Sequence, residues 1–566
     1  MLVSLCPCGV ILAATLETLA DAFQTSGEWI AAAADNFDGG NGTRENPYRI
    51  ATPEQLAHLA KIVTDDNFCG GAHFKLTSDI DLTGKRWTPI GPMTGDAGFA
   101  GQFDGGGHSI TGLKIVASDD AGLFRTISAE GAVSNLRVSS ADVTGKNRVG
   151  VIASRNIGTV TNCRADGVVS GNSFVGGIAG SNLRSVISSS TWGGSVWGNT
   201  IGGIAGFNLN GTLKFNKSSG KFTGKDYIGA ICGLNAGVID SCSAEGVVSG
   251  ELRIGGIAGV NFDKISHCES NATVTGGRRS SAGGIAGANR HKESSIKLIF
   301  SSDYAGQVLD HGFSLRGSDY ARQVLDHGFS LRESSIENCA ANGAVHGAFA
   351  GGIAAINAGA SIRGCTVKMN VSGKISSGGV VAANKGRIEN CTAEGDVTCM
   401  AFPGGIAGWN INDYAGLLVD IRGRGEIKGC FARNRVTAAN NNKPLDAFTS
   451  ALTFGMSAGG IAGVNEYGAA VMDCSYDADI SGQRREIGFD EPLVMYESMG
   501  YLLVEHDGRT MILLLVIGAV TILATILYFI ARHKTSRGKT RGVWLRNASA
   551  LVLAINFALV AWLNVR

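Results

Sequence analysis

The chain has 566 residues with 82 glycines and only 8 prolines, and its 49 Lys and Arg against 48 Asp and Glu leave a net charge of +1. That composition excludes a collagen-like or proline-rich disordered chain, and 44% hydrophobic residues suffice for a core. Balanced charge removes any general case for nucleic acid as a partner, and cations such as Arg278 and Arg279 read as solvated surface.

Residues 1–34 contain an apolar stretch, LVSLCPCGVILAATLETLADAF, with no basic residues before it, and read as a signal peptide or hydrophobic leader. Residues 35–148 come next. Thr52-Pro53-Glu54-Gln55 places a cap residue, a proline at the first helical position and a Gln three after the Thr. Leu56, Leu59, Ala60 and Val63 then follow at helical spacing. A short amphipathic helix is expected to cap the fold here, before first coils in FKLTSDIDLTGKRWTPIG and FAGQFDGGGHSITGLKI.

From 149 to 485 the chain repeats. VGGIAGSN, residues 175–182, would read alone as a phosphate-cradling loop, but ten variants of it end at Asn156, Asn182, Asn208, Asn235, Asn261, Asn289, Asn357, Asn384, Asn410 and Asn465. The first six asparagines lie 26, 26, 27, 26 and 28 residues apart. Such a period signals a solenoid, and no copy has the helix and lysine that a nucleotide loop needs.

One unit, residues 235–261, holds short apolar runs at Val238–Ile239, Val247–Val248 and Ile254 to Ala258, separated by turn residues. Runs this short and rich in Val and Ile read as strands. The expectation is an all-β fold: a parallel β-helix, or β-solenoid, of about 26 residues and three strands per coil, roughly thirteen coils long. In Val175-Gly-Gly-Ile178 a bend at the glycines would turn both branched residues inward, with glycine allowing unusual backbone angles or close approach. The asparagines suit a left-handed turn whose amides form a ladder, the alternative being a column of ligand-binding amides. Cys163, Cys242, Cys268, Cys339, Cys365, Cys391, Cys430 and Cys474 share one slot, with Ser189 in it in another coil. A reduced, packed column is expected there, since strand spacing exceeds the disulfide optimum and no zinc-type CxxC spacing accompanies these positions.

Three insertions interrupt the period: 293–332, 411–425 and 440–456. The first holds SDYAGQVLDHGFSLR followed by SDYARQVLDHGFSLR, and the second contains the related NDYAGLLVD. Loops on a rigid scaffold often carry recognition, which makes Tyr304, His311, Tyr320, His327 and Tyr414 the candidate contacts. Neutral, tolerated insertions are the alternative.

After a linker at 486–510, Met511 to Ala531 is uncharged and long enough to span a bilayer. The basic segment 532–546 follows, then a second apolar stretch at 547–566, so a transmembrane helix or hairpin is expected. The positive-inside rule places the basic loop in the cytoplasm and the solenoid outside the cell membrane.

GGNGTRENPYRIATPEQLAHLA, FKLTSDIDL, WTPIG, FDGGGHSITGLKI, GLF and the repeated GGIAGxN together resemble the GLUG-motif repeat proteins, bacterial surface and adhesin-like proteins. The motif also accompanies secreted metallopeptidases that cut immunoglobulin A. The resemblance implies a right-handed coil on an extracellular protein, with a ligand that varies across the family. A non-enzymatic, adhesin-like binder of an extracellular protein or glycan is the expected function, with no catalytic, metal or cofactor residues. A carbohydrate-active β-helix enzyme and a purely structural spacer are the alternatives. The enzyme needs converging carboxylates, and between Val149 and Val274 only Asp166 and Glu245 hint at them. A zinc peptidase would need HExxH, which the sequence lacks.

Overall fold

Repetition in the sequence becomes stacking in space: the chain winds into a parallel β-solenoid of about 12 turns of about 27 residues each. The computed structural model describes residues 28–66, 70–92, 98–291, 333–411, 424–438, 458–465, 469–481 and 487–489. All of them fall in one unit, and a second unit, Ala415–Leu418 with Leu493–Arg566, lies outside the described residues. Among those described, the strands form two sheets, of 22 and 19 strands.

In the coil that starts at Asn235, Cys232–Asp240 lies in the first sheet, with Ile239 beside Ile265 of the next coil. Ser241 turns the chain with φ 52°. Ser243–Gly250 and Arg253–Gly255 then run in the second sheet. The chain turns again at 256–257 and returns to the first sheet as Ala258–Asn261. Ala258–Asn261 pairs with Cys232 to Asn235 and so opens the next coil, which leaves three strands in this one, the number expected. The run from Ile254 to Ala258 looks continuous in sequence, yet the chain changes sheets inside it. Ile254 and Ile257 are both fully buried. A straight strand would point residues three apart to opposite faces, so a corner must lie between them.

The same corner explains VGGIAGSN. Val175 ends the second-sheet segment Ser173–Gly176, Ile178 sits on the corner, and both side chains are fully buried. The glycines are needed for space rather than for unusual angles, since none of Gly176, Gly177 and Gly180 has a positive φ. A Cβ on Gly180 would lie 2.6 Å from Arg148 C and Val149 N of the preceding coil, and one on Gly259 would lie 2.6 Å from Ile228 N. The backbones of the two sheets meet here with no room for a methyl group.

Inward residues from all coils make one core, running from Trp29 and Ile50 to Ile461. A second cluster, which includes Phe174, Phe207, Leu234, Val260 and Phe262, packs on the outer side of the glycine corner. Outer faces are polar, and ion pairs such as Lys264–Glu337 and Arg363–Glu389, both 2.8 Å, tie one coil to the next.

The N-terminal helix spans Pro53–Asp66. Its capping box forms as expected: Gln55 N donates to Thr52 Oγ1 at 3.3 Å, and Gln55 Oε1 accepts from Thr52 N at 3.2 Å. Leu56, Leu59, Ala60 and Val63 are buried in the solenoid core. The end of the stretch read as a leader packs here too: Trp29 is buried, its Nε1 donates to Leu82 O at 3.0 Å, and Ala34 N donates to Glu54 O. Residues 511–531 and 547–566 lie outside the described set. Within that set no helix is long and apolar enough to cross a membrane.

Candidate binding surfaces

The ten asparagines stack in one column at the end of the corner segment. Asn156 Nδ2 donates to Asn182 Oδ1 at 2.8 Å, and the line continues through Asn208, Asn235, Asn261, Asn289, Asn357, Asn384, Asn410 and Asn465 in steps of 2.7–3.0 Å. Most of the amides also reach a local carbonyl, as from Asn182 to Ser185 O and from Asn357 to Ala360 O, both at 3.1 Å. All ten are buried, so the column faces the interior and offers a ligand no surface. The left-handed turn expected of them lies elsewhere, on Asn162, Ser189, Ser241, His267, Asn338, Asn390 and Asp473 at φ 51–53°. The ladder residues sit within or at the ends of strands, where the parallel ladder holds the backbone extended. The chain turns at the next corner instead, at the residue just before the cysteine slot.

Register also corrects the slot itself. Cys163 N donates to Ser190 Oγ and Ser190 N to Asn216 Oδ1, so Ser190, not Ser189, fills it, and Asn216 follows. From Cys242 onward the slot is cysteine in each successive coil, all free thiols, with Cys242 N 3.5 Å from Cys268 Sγ and Cys391 N 3.5 Å from Cys430 Sγ. Burial pushes the Cys163 thiol up to about 12. The Cys391 thiol, with burial adding to it, pushes Cys430 to about 12. Such thiols stay protonated and unreactive.

Asp166 and Glu245 share a column on the outer face of the second sheet, separated by Gly193 and Ser219. Three coil steps put them about 14 Å apart at ~4.8 Å per step, beyond the roughly 5–9.5 Å of a glycosidase pair. A closer pair, Glu394 and Asp396, lies two residues apart on one strand, outside the window read in the sequence. It stands opposite Arg433 and Arg435 of the next coil. On the other sheet, Asp240 accepts hydrogen bonds from Ser266 Oγ at 2.9 Å and Ser241 Oγ at 3.2 Å, and His267 Nδ1 lies 3.0 Å away. Burial works to raise the Asp240 carboxyl, but these partners hold it below the usual range. The hydroxyls bond to the carboxylate and not to the imidazole, so no Ser–His–Asp relay forms. Among the described residues no group of three His, Cys, Asp or Glu could hold a metal ion. An open depression of about 550 Å³ beside the N-terminal helix is lined by Phe37, Tyr48 and His58 among others, with no carboxylate.

Tyr304, His311, Tyr320, His327 and Tyr414 lie outside the described residues, but the ends that anchor their insertions do not. His291 N donates to Ala358 O and Ser335 N to Asp263 O, while Ile411 N donates to Asn384 O. Asn289 bonds directly to Asn357 at 3.0 Å across the first insertion, so the coil register passes through unbroken. Both insertions leave from the corner that follows the ladder asparagine.

Residues 373–398 match the GLUG motif. That stretch is one full coil, from Gly373 through the corner and Asn384 to Cys391 and Thr398. Halomucin from Haloquadratum walsbyi is 35% identical over 143 residues, 23% of this chain and 2% of that protein. A protein of Evansella cellulosilytica, named as a Gly-rich membrane protein, is 38% identical over 138 residues, 22% of this chain and 15% of the other. The match thus spans a small part of either relative. A crystal structure from Bacteroides ovatus, named as a putative immunoglobulin A1 protease, aligns over 70% of this chain and 86% of its own, with 19% identity and a TM-score of 0.30. Because register places the other nine asparagine-ended corners on the matched one, the chain is a GLUG-motif repeat protein.

Proposed function

We propose that this chain is a non-enzymatic, membrane-anchored cell-surface protein whose solenoid projects outward and binds an extracellular protein or glycan, as an adhesin does. The observation that carries the reading is the solenoid itself: buried amides and thiols hold the interior, and broad polar sheet faces are turned outward. The name of the Evansella relative supports membrane association, as does the uncharged segment from Met511 to Ala531. In this reading the coil is right-handed, the Pro53–Asp66 helix closes its N-terminal end, and the C-terminal helix or hairpin anchors it.

The test is binding of the full-length protein to glycan arrays and host-matrix proteins, with and without residues 293–332. Binding lost with the insertion places recognition in the loop. Binding kept without it places recognition on the solenoid faces. No binding by either form favours a structural spacer, and turnover of a polysaccharide overturns the non-enzymatic reading.

A further inference from the structure

We infer that the outer face of the second sheet around Trp197 binds a uronic-acid-bearing polysaccharide, an inference that rests on the surface-binding reading above. Trp197 is 51% exposed on the strand Thr191–Gly202, and its indole makes no ring contact or hydrogen bond among the described residues. The coil does not need an indole there. The same column carries Ser170 one coil before, then Thr223, Ser249 and Thr275 in the coils after. Val168, 47% exposed, extends the apolar surface on the preceding coil, and the Asn172–Asn199 amide pair borders it at 2.7 Å.

Positive charge gathers on the coil after this indole, at Lys217, Lys221 and Lys225, with Asp226 next in sequence, while the two coils before it carry Asp166 and Asp142 on the same sheet. Lys217, Lys221 and Lys225 are exposed on the coil that follows Trp197, and none has an ion-pair partner among the described residues. Lys221 pairs with Ser195, two residues from Trp197, while Thr223 pairs with Trp197 itself. The Lys221 and Trp197 backbones are therefore diagonal neighbours, about 8 Å apart at ~4.8 Å between strands and ~3.3 Å per residue.

A hexuronate ring carries both complements to this arrangement. Its C–H face stacks on the indole, as sugars and bases do on exposed aromatics. Its carboxylate reaches the lysines, and its hydroxyls meet Ser170, Thr223 and the asparagine amides. Successive coils repeat the polar columns, so a polymer has further contacts along the stack and avidity adds to a weak single site.

The experiment measures binding of full-length, detergent-solubilised protein to immobilised hyaluronan and to neutral dextran. Expected results are at least tenfold tighter binding to hyaluronan, weakening with added salt, a tenfold or greater loss in Trp197→Ala, and loss of the hyaluronan preference when Lys217, Lys221 and Lys225 are all changed to Glu. Both variants alter exposed side chains and should melt with the parent, which excludes misfolding as the cause. Hyaluronan bound no better than dextran, or bound equally by Trp197→Ala, overturns the site. The wider reading is scored separately on matrix proteins, so a chain that binds them through Trp197→Ala remains a surface binder with its site elsewhere.

Discussion

Asn235 Nδ2 donates to Asn261 Oδ1 at 2.8 Å, and Asn261 passes the same bond on to Asn289 at 2.8 Å. Both side chains are fully buried, so each amide takes its partners from neighbouring coils and local carbonyls. A solenoid coil cannot bury its own polar edge alone. The ladder couples neighbours, which is how an array of similar units becomes one structure.

Removing an interior rung should therefore cost more than removing the first. Asn261→Ala takes one hydrogen-bond partner from each of Asn235, Asn289 and the carbonyls of Asp263 and Ser335. The expected loss is about 2–4 kcal/mol. Asn156 has no partner at Oδ1, so Asn156→Ala should cost less. Denaturant unfolding of the two variants compares them, and equal costs would show that the rungs do not couple.

Glycine at the corner and glycine on the outer face should respond oppositely to one methyl group. Gly259→Ala puts a Cβ 2.6 Å from the backbone of Ile228 and should lose about 3 kcal/mol or fail to fold. Gly193→Ala meets nothing nearer than Ser219 Oγ at 3.8 Å and lacks a positive φ. It should be neutral or stabilising by about 0.5 kcal/mol. Melting temperatures decide the matter.

Asp120 should set an acid limit. Arg148 holds it with bonds of 2.6 and 3.1 Å and Ser154 Oγ with one of 2.8 Å, while Arg125 and Arg155 are also buried. Burial works to raise this carboxyl, and these partners together hold it below its ordinary 3.8. A depressed folded value means the contribution is present above pH ~4 and is lost as pH falls below it. Asp120→Asn keeps the left-handed backbone but removes the charge beside Arg148. It should cost about 3–5 kcal/mol at neutral pH and flatten the acid limb of a stability–pH profile.

The thiol column should set an alkaline limit. Cys163 and Cys430 are raised from 9.0 to about 12 in the fold. A raised folded value means stability is whole below pH 9 and falls as pH rises from there toward 12. Native protein at pH 8 should leave these thiols unlabelled by a chromogenic disulfide reagent, and unfolding should expose them. Rapid labelling of the native state would contradict the packed column.

Several features were legible from one dimension because they repeat. Asparagines recurring every 26 to 28 residues outside the insertions announce a column, and eight cysteines in one slot announce another, since stacking turns near-equal spacing into contact. The capping box at Thr52 and Gln55 was legible for a different reason: all its partners lie within four residues. The αL corner was misplaced because Asn is a common left-handed residue, whereas the turning position carries Asn, Ser, Phe, His, Gly or Asp in different coils and shows no single letter to follow.

Sequence alone determined the period, the parallel stacking and the identity of the buried columns, because these follow from which residue recurs at which interval. Only the tertiary structure decided where the chain changes sheets, that Ser190 and Asn216 continue the cysteine slot, and that Asp166 and Glu245 stand three coils apart. It also set Trp197 beside the lysines of the following coil. These are relations between coils, fixed by register across a strand spacing of about 4.8 Å, and a small bulge or a one-residue shift in a turn moves them without altering the period.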